Sequence, residues 1–142
     1  MEEINQFNVR VYALIVHEDA LLVIKEPYAG EILYKFPGGG IEFGEGLVAG
    51  LQRELMEELN LEIESYQHFY THEDFLRSKF KPNEQLFLVY YYVVVKDLNQ
   101  MDVIDPNIEE LIWIPISELT TDLVNLPTDK IVAQKLLNER MK

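Results

Sequence analysis

Along this chain the spacing of apolar residues changes several times, and each change marks an element. Phe7 to Val16 alternates in part and is rich in Val, Ile and Tyr, which predicts a strand. Glu18-Asp19 turns the chain into a second predicted strand, Ala20 to Lys25. Pro27-Tyr28-Ala29-Gly30 predicts a loop, and Ile32 to Phe36 a short strand ending at Pro37. The run Gly38-Gly39-Gly40 is expected to be a sharply turning loop rather than regular structure.

From about Gly46 the period becomes helical. Leu47, Leu51, Leu55 and Leu59 recur every four residues as an expected buried stripe, with Arg53, Glu54, Glu57 and Glu58 largely off it. Asn60 is the expected stop. Leu61 toward Tyr70 reads as a strand and His72 to Gln85 as a polar connection. Leu86 to Val95 is apolar on both faces, as in a central strand covered on both sides. Glu110 to Ile114 predicts a further strand, Pro115 to Leu119 a helical turn, and Asp129 to Met141 a C-terminal helix. Strands dominate, with two helices to cover opposite faces, so the expected fold is an α/β sandwich around a mixed sheet. No repeat, low-complexity tract or linker divides residues 1–142, and one domain is expected.

Composition narrows the function classes. An apolar share of 48% in 142 residues is enough for a real core. The formal charge of −13 opposes non-specific binding to nucleic acid or to anionic membranes. It equally repels a diphosphate, which must then bring metal ions or meet local positive charge. The absence of cysteine excludes disulfides, thiolate metal sites and a cysteine nucleophile. The N-terminus MEEINQFNVRVYALIVHEDA lacks the basic region and cleavage site of a secretory signal. Leu86 to Val95 is about half the length of a bilayer crossing, so a cytoplasmic location is expected.

The chemistry concentrates between residues 39 and 61. A glycine-rich lead-in carrying Glu42 and Glu45 runs into a helix with Arg53 beside Glu54, Glu57 and Glu58. Those three glutamates stand at i, i+3 and i+4, so their carboxylates point the same way and repel unless a cation sits among them. Hard oxygen ligands grouped in this way suit Mg²⁺ or Mn²⁺. A salt-bridged surface helix would explain part of Arg53 to Glu58, but not the triple glycine and Glu45 at their offsets.

This segment resembles the Nudix box, G-x5-E-x7-R-E-U-x-E-E-x-G-U, where U is a bulky aliphatic residue. Gly39, Glu45, Arg53, Glu54, Leu55, Glu57, Glu58 and Leu61 fall in register, and Phe36 to Glu42 looks like the family's lead-in. One position departs: Asn60 stands at the late box glycine, where left-handed backbone is commonly needed and Asn is the usual second choice.

The resemblance implies an α/β/α sandwich around a mixed sheet, and hydrolysis of a nucleoside diphosphate linked to another group, X. Glu54, Glu57 and Glu58 match the family's metal-binding acids, with Mg²⁺ or Mn²⁺ as cofactor. Arg53 matches a residue that orients a glutamate by ion pairing. Glu45 either ligates a second metal or supports the loop, and an acid there is also favoured by the helix dipole. Gly38 and Gly39, with Gly40, form the expected phosphate-binding loop, since a Cβ would obstruct a phosphate, while Pro37 fixes its entry. The general base stays open between Glu54 and, outside the box, Glu109, Glu110 and Glu118.

Specificity lies outside the box. Tyr28, Tyr34, Tyr70, Phe75 and Trp113 are aromatic candidates for stacking a base, and Arg77, Lys79 and Lys81 for meeting a phosphate or ribose. Each also has an ordinary packing or solvated role, as do His68 and His72. Leu76 and Arg77 stand where the family's ADP-ribose hydrolases tend to carry proline, and Ser78 and Lys79 where dinucleoside polyphosphate hydrolases tend to carry tyrosine. A small-molecule nucleotide is therefore the expected partner, either a (deoxy)nucleoside triphosphate or an ADP-ribose or sugar-nucleotide substrate. A homodimer is compatible with the family. The alternative is a nucleotide-sensing or interaction module on the same fold, which would often show eroded box acids. An isomerase of isopentenyl diphosphate would need a cysteine, and an RNA 5′-end hydrolase a basic groove.

Overall fold

Strand side chains alternate, so a strand apolar at every position must be covered on both faces. That condition organises this molecule, which a computed structural model describes over residues 3–140. In chain order the strands are β1 (Gln6–His17), β2 (Ala20–Tyr28), β3 (Glu31–Lys35), β4 (Gly38–Gly40), β5 (Ile63–Thr71), β6 (Glu84–Val95) and β7 (Glu110–Pro115). The helices are α1 (Leu47–Leu59) and α2 (Pro127–Arg140). The predicted end of the last helix, Met141, lies outside the described residues.

The seven strands form one mixed sheet in the order β3-β2-β1-β6-β5, with β4 paired to β1 and β7 to β2. β1 runs parallel to β6 from Gln6↔Glu84 to Ile15↔Val93, and the other pairings are antiparallel. Val11, Ala13 and Ile15 of β1 and Leu22 and Ile24 of β2 pack against Leu51, Leu55 and Leu59 of α1. Tyr12, Leu14, Leu21, Val23 and Tyr90 pack with Val132, Ala133 and Leu136 of α2. Successive residues of each central strand thus feed opposite cores, and the expected α/β/α sandwich is the fold observed. No helix among the described residues is long and apolar enough to cross a membrane.

Three local readings change. Pro27 and Tyr28 are not loop: β2 continues through them, pairing with Ile32 and Glu31. Pro27 lies past Lys25, the last β2 residue paired with β7, so it breaks no ladder on that edge. The turn is the two-residue Ala29-Gly30, both at positive φ, as a tight hairpin requires.

The triple glycine is likewise a strand. β4 lies against β1 in the register Arg10↔Gly40, Val11↔Gly39 and Tyr12↔Gly38. The approach is so close that a Cβ on Gly38, whose φ is 143°, would strike the Val11 carbonyl. Glycine serves here for close packing of backbone as well as for turning.

Finally, Glu58 is not off the buried stripe. Leu51, Leu55 and Leu59 are buried and Leu47 only partly, while Glu58 is 6% exposed.

Asn60 closes α1 in the left-handed conformation, φ 57°, with Leu61 N–H donating back to the Leu55 carbonyl. α2 starts at Pro127, two residues earlier than predicted, where a first-turn residue needs no N–H.

Candidate functional site

The polar face of α1 meets β4 along its whole length, and each glycine of β4 engages a different side chain of the helix. Gly38 N–H donates to Glu58 Oε1 at 2.9 Å. The Glu54 carboxylate lies directly beneath Gly39. The Gly40 carbonyl accepts from Arg53 Nη2 at 2.8 Å.

Arg53 is the hub. Its fork grips Glu45 through Nη2–Oε1 at 2.6 Å and Nε–Oε2 at 3.0 Å, while Nη1 reaches Glu54 at 3.1 Å and Glu57 at 3.2 Å. Glu42 stands farther off at 3.7 Å. One guanidinium thereby offsets the repulsion among several like charges, and Arg suits this because its planar donors serve two oxygens at once. Glu45 also accepts from Glu42 N–H at 2.8 Å, which fixes the loop ahead of the helix. The Arg53 fork holds the Glu45 carboxyl below its usual range.

The inner acids behave oppositely. Burial raises Glu54 above the ordinary carboxylate range despite Arg53. Burial pushes Glu58 up to about 8, with the charges of Glu54 and Glu26 adding to it against Gly38 N–H and Lys35. Glu57 stays exposed at the rim.

Glu54, Glu57 and Glu58 share a helical face but do not converge. Arg53 holds Glu54 beneath Gly39 and Glu57 at the exposed rim, and Glu58 turns under Gly38. The convergence among the described residues is instead Glu26, Glu58 and Asp105, each offering a carboxylate oxygen within 4.8 Å of the others. Glu26 Oε2 is buried and lacks a hydrogen-bond partner, with the Lys35 ammonium at 3.4 Å. An unsatisfied buried carboxylate oxygen beside two further carboxylates fits a hard divalent cation. Glu58 would hold it together with Glu26 and Asp105, and Glu54 lies one helical turn earlier.

Sequence reasoning missed Glu26 and Asp105. Glu26 could have been found from parity, because it shares a strand face with Leu22 and Ile24. Asp105 had no such local signal. It arrives because the loop before β7 caps the end of α1, with Asp102 N–H donating to the Leu59 carbonyl and Ile104 N–H to that of Glu58. Glu109 pairs with Lys25, and Glu110 and Glu118 are exposed.

Beside the acids opens a cavity of about 290 Å³. Arg10, Tyr12, Glu26 and Lys35 line it, and the segment Leu76 to Lys81 roofs it. Two contacts clasp that roof to the β2–β3 hairpin: Lys79 to Glu31 at 2.9 Å, and Phe80 edge-on to Tyr28 at 4.8 Å between ring centroids. Of the predicted substrate residues, Tyr28, Arg77, Lys79 and Lys81 therefore reach the cavity. Tyr34 does not line it; it packs against the α2-side core. Tyr70 packs on that same core, Trp113 on the α1-side core, and Phe75 is exposed. His68 bonds Thr71, and His72 Nε2 accepts the Leu88 N–H.

The model of the NUDIX domain family matches residues 6–136. Among solved structures, a MutT NUDIX hydrolase from Burkholderia pseudomallei is 20% identical, with a TM-score of 0.77 over 93% of this chain and 99% of that one. The E. coli ORF135 protein is 19% identical, with a TM-score of 0.77 over 95% and 91%. The MutT protein of Methanosarcina mazei is 18% identical, with a TM-score of 0.74 over 100% and 99%. These likenesses are of fold. No curated protein sequence matches the chain.

Proposed function

Because the chain belongs to the NUDIX domain family, whose members hydrolyse pyrophosphate bonds, we propose that it is a Mg²⁺- or Mn²⁺-dependent pyrophosphohydrolase of a nucleoside diphosphate linked to X. The favoured substrate is a (deoxy)nucleoside triphosphate, or an ADP-ribose or sugar-nucleotide compound. One observation supports this most directly: carboxylates of Glu26, Glu58 and Asp105 gather within 4.8 Å beside a cavity of about 290 Å³.

Glu58 would hold the metal with Glu26 and Asp105, while Glu54 and Glu57, on the same helical face, are the remaining candidate ligands of the box. A bound divalent ion neutralises phosphate oxygens and makes water a better nucleophile at neutral pH. Arg53 keeps Glu54 aimed at the β4 backbone and Glu45 braced against the loop. Gly40, beside the Arg10 guanidinium, leaves the backbone open to a phosphate, while Gly38 and Gly39 are buried between β1 and α1 and hold the acids of the helix in place. Glu54, half-buried and held above the ordinary carboxylate range, would take the proton of the attacking water. The proposal takes residues 1–142 as one catalytic unit working in the cytoplasm on a small nucleotide. A homodimer remains compatible with it, and non-specific nucleic-acid binding does not.

The test is phosphate release with Mg²⁺ across unmodified and oxidised nucleoside triphosphates, ADP-ribose, sugar nucleotides, dinucleoside polyphosphates and coenzyme A. Pyrophosphatase is the coupling enzyme for triphosphates and phosphatase for the rest. One substrate far above the others names X, and Glu57→Gln should abolish its turnover with the circular dichroism spectrum unchanged. Near-wild-type activity in Glu57→Gln would show the metal assignment to be wrong. Metal binding without turnover on any compound would move the reading to a sensing module.

A further inference from the structure

We infer that Arg10 is the specificity-determining cation of this site, binding the substrate phosphate that joins the organic group in the cavity to the phosphate held at the α1 acids. The inference rests on the nucleotide reading above and adds to it a residue outside the box.

Position is the first ground. Arg10 lies on β1 opposite Gly40 and lines the cavity. Its Nη1 stands 3.6 Å from where a Cβ on Gly40 would be. The guanidinium therefore occupies the boundary between the carboxylates under β4 and the cavity. A molecule whose organic end fills the cavity and whose diphosphate reaches Glu54 and Glu58 must pass a phosphate across that boundary.

The second ground is which cations are already committed. Arg53 is shared among Glu45, Glu54 and Glu57, Lys35 pairs with Glu26, Lys79 with Glu31, and Lys25 with Glu109. Arg10 has no carboxylate within ion-pair distance among the described residues. Among the described residues its one hydrogen bond runs from Nε to Tyr12 Oη at 2.6 Å, which leaves both Nη groups without a partner there. The chain has 25 acidic side chains, so the missing partner does not reflect a shortage of them.

Geometry is the third. The Tyr12 ring supports the guanidinium from 5.7 Å, and the Nε bond fixes its plane. A planar fork held with its outer donors free matches two non-bridging oxygens of one phosphate. Partial burial strengthens that attraction over what water would allow. In a protein of charge −13, a cation so placed also offsets the repulsion a diphosphate meets on entry.

The test uses Arg10→Met, which keeps the stem and removes the charge, and Arg10→Lys, which keeps the charge and removes the fork. kcat/KM is measured on the best substrate of the panel. Calorimetry in EDTA compares the nucleoside monophosphate carrying that base with its nucleoside. Arg10→Met should lose about tenfold to a hundredfold in kcat/KM, chiefly through KM, and should bind monophosphate and nucleoside alike. Arg10→Lys should fall between the two.

A folded Arg10→Met protein with wild-type kcat/KM and wild-type monophosphate preference would overturn the role of Arg10 and leave the nucleotide reading standing. If Arg10→Met does not fold, Arg10→Lys decides, and an unchanged KM overturns the role. A wild-type protein that turns over no nucleotide removes the nucleotide reading, and the role of Arg10 with it.

Discussion

Gly39 lies over the Glu54 carboxylate so closely that a Cβ built on it would stand 2.6 Å from Glu54 Cδ. Gly39→Ala must therefore displace either β4 or Glu54, and β4 is pinned to β1 on its other side. The expected result is a fall in kcat of at least about a hundredfold, with a stability loss of about 1–3 kcal/mol from overpacking. Gly46→Ala is the control, because a Cβ there meets nothing within 4 Å. Steady-state kinetics and urea unfolding of both variants check it, and equal activity in the two would contradict this account of Gly39.

Glu58 links metal affinity to pH. Burial holds its carboxyl up to about 8, so the metal-free protein carries a proton there at neutrality. Metal needs the carboxylate, and binding must expel that proton. Apparent affinity for Mg²⁺ or Mn²⁺ should rise by roughly tenfold per pH unit up to about pH 8 and level off above it. Calorimetry at pH 7 in two buffers of different ionisation enthalpy counts the protons released. A count of zero would refute the assignment of Glu58 to the metal.

Asp129 gives a pH effect remote from that chemistry. It is 1% exposed, accepts from Tyr90 Oη at 2.6 Å, and is pushed by burial from 3.8 up to about 7. Between those values the folded protein binds a proton that the unfolded chain has lost, so stability falls as pH rises from about 4 to about 7. Asn keeps the acceptor for Tyr90 and cannot ionise. Asp129→Asn should match the wild type near pH 4, gain on it steadily above that, and exceed it at pH 8 by on the order of 4 kcal/mol, read from denaturant midpoints. An unchanged slope would mean that Asp129 ionises freely in the fold.

Asn60 replaces a glycine of the family pattern and does more than tolerate the backbone. Besides its φ of 57°, its side-chain Nδ2 donates to the Gln100 carbonyl at 3.0 Å. Asn60→Gly gains conformational ease and loses that bond, so it should stay within about 1 kcal/mol of the wild type. Asn60→Ala loses both and should cost about 1–2 kcal/mol. Unfolding at constant m-value distinguishes them.

The sheet and both helices were legible because β1, β2 and β6 carry apolar residues at successive positions, which only two covered faces allow. Charged side chains along α1 were legible as a motif, but not in their orientation. Glu58 is one residue short of Leu59 and turns inward with it, which a reading by charge sign overlooks. β4 has no side chains, so its pairing depends on the β1 backbone and leaves no periodicity to detect. Asp105 and the cavity roof depend on loops docking far from their own sequence neighbours. Arg10 drew no reading from the sequence, because a polar residue in a strand carries no sign of whether a partner faces it.

The parallel pairing of β1 with β6 has a kinetic consequence. β1 cannot complete its central ladder until Glu84–Val95 exists, so the pair closes a loop of more than half the chain. During synthesis the apolar run of β1 leaves the ribosome long before its partner and stays available to other chains meanwhile. Folding should be slow for a protein of this size, limited by that long-range closure. The interval before β6 emerges is when the growing chain most needs protection from aggregation.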